Sequence, residues 1–143
     1  MKKIAVAFTF FFLLVSDVQA QPQFFAGKTI RIIVGLPAGD VYDIYARVLA
    51  ENMGKHIPGN PSIMVQNMPG ASTMTAANYV YNVAKPDGLT FAIFLPALYF
   101  DQLIGRKEVQ FDWAKFTWLG SFERARIICC ICARTPRIRR SMM

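Results

Sequence analysis

The stretch RIIVGLPAGDVYDIYARVLA, residues 31–50, decides how the chain is read. Its first residues close an apolar, β-branched run, Thr29 to Val34, which reads as a buried strand bounded by Gly27 and Gly35. A knot of Gly35, Pro37 and Gly39 follows, and then a helix from about Tyr42 to Met53. Val41, Ile44, Val48, Leu49 and Met53 fall at three- and four-residue steps and form one apolar stripe. Glu51 and Lys55 are spaced for an i,i+4 pair, and Gly54 is the expected helix stop. The chain thus passes from strand through tight turn into helix, a junction that often holds anions.

The pattern repeats outward from there. Ser62 to Gln66 reads as a second strand, NMPGAS as a second turn, and Thr73 to Ala84 as a second helix with Met74, Ala77, Val80, Tyr81 and Ala84 on one side. KPDG is a turn, Leu89 to Leu95 a third strand, Pro96 to Ile104 a short helix, and FTWLG (116–120) a further extended segment. Alternating strands and helices specify an α/β fold with a parallel, doubly wound sheet. In such sheets ligands sit beyond the carboxyl ends of the strands. Both Gly/Pro knots follow strands and precede helices, so they are expected side by side at that edge.

A helix start leaves backbone N–H groups unpaired and carries partial positive charge. Two adjacent starts therefore suit the two oxygens of a carboxylate. Gly39, Gly70 and Ala71 keep side chains out of the way, and Pro37 and Pro69 stiffen the approach. Ser72 either donates a hydroxyl hydrogen bond or caps the second helix. Asp43 reads as a first-turn acid favoured by the helix dipole, and Asp40 either caps the helix or meets a donor group of a ligand.

Charge and motifs exclude the common alternatives. The chain has 143 residues, 54% of them hydrophobic, and a formal net charge of +7. Residues 21–120 carry eight basic and seven acidic side chains, whereas residues 121–143 hold six Arg and one acid, Glu123. The body is close to neutral, which argues against a nucleic-acid partner. GLPAGD lacks G-x-G-x-x-G spacing, no phosphate loop and no G-x-S-x-G elbow are present, and His56 is the lone histidine. No catalytic residue, cofactor or metal is expected. Lys2 and Lys3, the uncharged run Ile4 to Val15 and Val18-Gln19-Ala20 read as a secretory signal over residues 1–20, cleaved after Ala20. Cys129, Cys130 and Cys132 all lie near the end, so the exported body has no disulfide framework.

The segment from GKTIRIIVG to KPDGLTF resembles the opening of the Bug family, the substrate-binding receptors of tripartite tricarboxylate transporters. Those receptors open as G-K-x-I-x-I-I-V-G-x-P-x-G-G-x-x-D-x-x-A-R and continue with a V-x-N-x-P-G-A-G turn and a P-D-G-x-T strand entry. The likeness runs from about Phe24 to Gly120. It implies that residues 21–120 are the first lobe of a two-lobed periplasmic binding protein, here incomplete, which takes a small carboxylated ligand and feeds membrane components of such a transporter. Carried over by position, the ligand-binding turns are Leu36, Pro37, Ala38, Gly39, Asp40 and Val41, with Asp43, and then Pro69, Gly70, Ala71 and Ser72. The family often has Gly at 40, 41 and 72. Side chains there narrow the approach and disfavour positive φ, and Asp40 adds a negative charge that also suits an amine-bearing or neutral ligand.

Residues 121–143 form an aberrant basic tail without family pattern. One codon choice for PRIRRSMM, read in a shifted frame, yields Ala-Tyr-Lys-Thr-Ile-Asp-Asp, similar to a Y-K-T-I-D-D phrase of the family. A frame shift beyond about Phe122 is therefore expected, with a Cys-bearing interaction tail as the rival. A single wall of a cleft implies weak or absent ligand binding, an exposed sheet edge and uncovered apolar surface. The alternatives to a receptor fragment are a non-functional truncated product and a small exported α/β enzyme.

Overall fold

Ile30, Ile32, Ile33 and Val34 are all fully buried, on both faces of strand β1 (Thr29–Val34), and this fixes β1 as the centre of a sheet. The carboxyl half of the strand, Ile32 to Val34, is covered on two sides and shows no alternation, while Arg31 nearer its start is only partly buried. The computed structural model describes residues 24–120 and 130–134. The expected secretory segment lies outside the described residues.

Strands β2 (Ser62–Asn67) and β3 (Thr90–Phe94) flank β1, both parallel to it. Helix α1 (Val41–Met53) connects β1 to β2, and α2 (Met74–Asn82) connects β2 to β3. A short α3 (Ala97–Leu103) follows β3, then β4 (Phe116–Gly120) and β5 (Cys130–Arg134). The sheet order is β2-β1-β3-β5-β4, with β5 antiparallel to both β3 and β4. The expected parallel α/β core is present as three strands, and two antiparallel strands extend it into a mixed sheet. β5 falls inside the basic segment 121–143.

The two faces carry separate cores. On one, Ala46 of α1 packs with Ile32, Val34 and Ile93. On the other, Met74, Ala76, Ala77 and Val80 of α2 pack with Ile33, Ala92, Phe94 and Phe116. Small residues let α2 lie close to the sheet, and Phe116 of β4 closes the end of that core against Phe94 and Tyr81, with ring centroids 5.7 Å away in each case. Asn78 and Asn82 clip the 108–110 loop onto α2 through bonds to the backbone of Glu108 and Gln110.

Several local expectations change. Val41, Ile44 and Val48 are 51–56% exposed, and α1 instead turns Asp43 and Ala46 to the sheet. Leu49 of the expected stripe packs on the core with Tyr42 and Ala50, beside the buried Asp43. Lys55 bonds Asn52 at 2.8 Å, not Glu51. Gly54 does cap the end of α1, with right-handed angles, and leads into a 3-10 turn. The second helix begins at Met74, not Thr73, because Ala71, Ser72 and Thr73 all have positive φ. Apolar surface is uncovered at Phe100, Leu103 and Ile104 after β3 and at Trp118 and Leu119 of β4.

Candidate functional site

β1 and β2 run parallel, in register from Thr29↔Ser62 to Val34↔Asn67, so their carboxyl ends finish together. The two Gly/Pro turns therefore lie side by side, at the end of the sheet where the connection reverses between β1 and β3. Close packing joins them. A Cβ on Gly35 would stand 2.6 Å from the Cβ of Thr73, so only glycine fits there. Thr73 is itself fully buried, and its Oγ1 accepts from the Leu95 amide at 3.2 Å.

Asp43 is the hub of the first turn. It is 1% exposed, and its carboxylate accepts from the Gly39 amide (2.8 Å), Arg47 Nε (2.9 Å) and Asn67 Nδ2 (2.9 Å). Asn67 Nδ2 also donates to the Leu36 carbonyl at 3.0 Å. The Arg47 bond, then the Gly39 amide, outweigh burial and hold the Asp43 carboxyl at a pKa of about 2, below the usual 3.8. The same pair raises the Arg47 guanidinium. Asp43 thus faces inward as a brace beneath the turn, with its oxygens committed to the protein.

Asp40 caps the first helix. Its Oδ1 accepts from the Tyr42 amide at 3.1 Å. Its backbone is extended (φ −69°), so neither Asp40 nor helical Val41 needs glycine-like angles. The positive φ of this turn falls on Gly39, at +88°. The second turn differs. Gly70 is followed by Ala71, Ser72 and Thr73 at φ 45°, 52° and 75°, three consecutive non-glycine residues in the left-handed region. Neither Ser72 nor Thr73 makes a side-chain cap to α2.

Of the positions singled out in the first turn, Leu36 is half-buried, Pro37, Ala38, Gly39 and Val41 are exposed, and Asp40 is partly covered. Pro69, Gly70, Ala71 and Ser72 are exposed in the second. The donors are unequal. Gly39, Asp40 and Tyr42 already donate within the chain, to Asp43, to the Pro37 carbonyl and to Asp40. Among the described residues, the amides of Ala38, Val41, Gly70, Ala71 and Ser72 have no such partner. Asn67, Arg47 and Thr73 were not singled out by the sequence pattern. The one signal for Asn67 is its place at the end of a strand, immediately before a Pro-Gly turn.

No family model matches the chain. A UPF0065 protein from the gbd 5' region of Cupriavidus necator is 43% identical over 74 residues, 52% of this chain and 22% of that protein. Another UPF0065 protein, from Bordetella bronchiseptica, is 37% identical over 71 residues, 50% of this chain and 20% of that one. Among solved structures, a periplasmic transporter protein superposes with a TM-score of 0.59 at 28% identity, over 67% of this chain and 32% of the other. A TctC solute binding protein from Polaromonas gives 0.58 at 29%, over 66% and 31%. An R. palustris protein solved with adipate gives 0.57 at 26%, over 66% and 31%. The fold is accordingly that of part of a periplasmic binding protein. Over about half its length the chain is a homologue of the UPF0065 (Bug/TctC) proteins, and it spans about a fifth of the curated relatives' length and a third of the solved ones.

Proposed function

We propose that this chain supplies the first wall of a periplasmic solute-binding receptor for a small carboxylated metabolite, exported by cleavage after Ala20 and feeding the membrane components of a tripartite tricarboxylate-type transporter. The observation that carries this reading is the set of uncommitted amides on two braced turns: Ala38 and Val41 on one, Gly70, Ala71 and Ser72 on the other. Such amides can bind a carboxylate without a cationic side chain. The R. palustris relative solved with adipate supports the ligand class. Asp40 spends one carboxylate oxygen on its own helix, which lessens its conflict with an anion. The matched relatives are binding proteins of transport systems, and the reading assigns no catalytic group.

The test is a titration of the folded chain with adipate, followed by amide 1H–15N shifts. Fast-exchange shifts at residues 38–41 and 70–72, with the weak affinity of a single wall, are the expected result. Unmoved amides in both turns at the highest soluble adipate concentration refute the reading, as do equal shifts with uncharged hexanediol.

A further inference from the structure

A recess lies at the opposite end of the sheet from the two turns, where β1 and β3 begin. It encloses about 340 Å³ and is lined by Thr29 and Arg31 of β1, Tyr79 of α2, Lys85 and Asp87 of the following turn, and Thr90 of β3. Its chemistry is dominated by donors. Arg31 is partly buried, and its Nε is fully enclosed with no hydrogen-bond partner. Its guanidinium makes one long contact, 3.5 Å, from a terminal nitrogen to the Tyr79 hydroxyl. Among the described residues no carboxylate lies within ion-pair distance of Arg31. Asp87, the one acid lining the recess, uses Oδ1 to accept from the Leu89 amide at 3.0 Å and so is tied into its turn.

We propose that this recess binds a small oxyanion, with Arg31 as the principal donor. A partly buried guanidinium with no carboxylate beside it carries a desolvation cost that nothing in the chain compensates. An oxyanion in the recess neutralises the charge by accepting from the terminal nitrogens of the guanidinium, whose fork matches its geometry. Lys85 adds a second positive charge from the rim. The Tyr79 hydroxyl and those of Thr29 and Thr90 add neutral donors. This site is independent of the two turns at the carboxyl edge, and each can fail without the other.

The experiment is calorimetric titration of the full 143-residue chain with inorganic phosphate at constant ionic strength, paired with amide 1H–15N spectra. Saturable binding is expected, with shifts at Tyr79, Lys85 and Thr90. Arg31→Gln weakens it by about tenfold or more, the scale for losing a charged hydrogen bond. Should Arg31→Gln fail to fold, the exposed Lys85→Gln stands in and weakens binding by about threefold, as expected of a rim charge. Absence of binding overturns the proposal. So does binding that Lys85→Gln leaves unchanged, or shifts confined to residues 38–41 and 70–72, which would locate phosphate at the other edge.

Discussion

The side chain of Asn67 reaches the carboxylate of Asp43 at 2.9 Å, across 24 residues of sequence, and with the same nitrogen reaches the Leu36 carbonyl. One amide group therefore joins the end of β2 to both the loop and the helix of the first turn. Asn67→Ala leaves a buried carboxylate oxygen and a carbonyl without this donor, and is expected to destabilise the fold by about 1–3 kcal/mol. Asn67→Asp sets one carboxylate against another and costs more. Urea denaturation of the three proteins, with unchanged m-values, gives the comparison.

Asp43 also makes stability depend on pH in a defined direction. Its pKa is about 2 in the fold and near 3.8 when unfolded, with the Arg47 bond as the leading cause. A depressed carboxyl stabilises the fold fully above about pH 4, and that contribution is lost as pH falls through the folded value. The stability gap between the wild type and Asp43→Asn is therefore expected to be constant from pH 7 to about 5 and to narrow steadily towards pH 2. Arg47→Gln raises the folded pKa towards the unfolded value, so the narrowing is smaller and ends at higher pH. Thermal midpoints across this range measure both, and a gap that widens on acidification contradicts the assignment.

Contact between the turns is steric as well as polar. Gly35→Ala places a methyl group 2.6 Å from the Thr73 Cβ, and is expected to cost about 1–3 kcal/mol through forced movement of packed backbone. Thr73→Gly removes the obstructing atoms and frees a residue held at φ 75°, but loses the bond to Leu95. In the double variant much of the Gly35→Ala penalty disappears. A double-mutant cycle in urea reads this coupling, and strict additivity would show that the two residues do not meet.

How far the sequence discloses this arrangement varies by element. The apolar run Ile30 to Val34, interrupted only by Arg31, and the Gly/Pro knots place the three parallel strands and the shared edge, because a doubly covered strand and a strand–helix turn each have a strong local pattern. The α1 face is illegible for a physical reason. Periodicity counts apolar residues, yet the decisive residue is Asp43, whose burial depends on Asn67 and Arg47, and only the folded chain brings Asn67 beside it. Asp40 illustrates the converse: whether a carboxylate caps or binds depends on one rotamer. Composition sets residues 121–143 apart as basic and cysteine-bearing, while Cys130–Arg134 pairs with β3 and β4, since pairing is made by backbone and requires no particular side chains.

That pairing makes β5 indispensable to β4. In the order β2-β1-β3-β5-β4, β4 hydrogen-bonds to β5 and not to β3, so a chain ending at residue 129 leaves β4 without a strand partner and β3 with an open edge. Phe116, seated against Phe94, Phe111 and Tyr81, then loses the strand that holds it in place. Residues 1–129 are expected to unfold at lower urea concentration than the full chain, to bind a hydrophobic dye and to self-associate. Equal urea midpoints for the two lengths would show that β5 adds nothing to the fold.

Ser72 combines the site and its strain in one residue. Its φ of 52° is costly for any residue with a Cβ, and its neighbours Ala71 and Thr73 share the left-handed region. Ser72→Gly relieves that strain, about 1–2 kcal/mol for a left-handed residue, against about 0.5–1 kcal/mol of added backbone entropy in the unfolded chain. The net expectation is a modest gain, on the order of 0.5 kcal/mol, with a higher thermal midpoint. The substitution leaves the residue-72 amide in place while removing its hydroxyl. If the backbone is what holds a carboxylate, the adipate-induced shifts at residues 70–72 persist in Ser72→Gly. If they vanish while stability rises, the hydroxyl is the ligand contact and the amides are not.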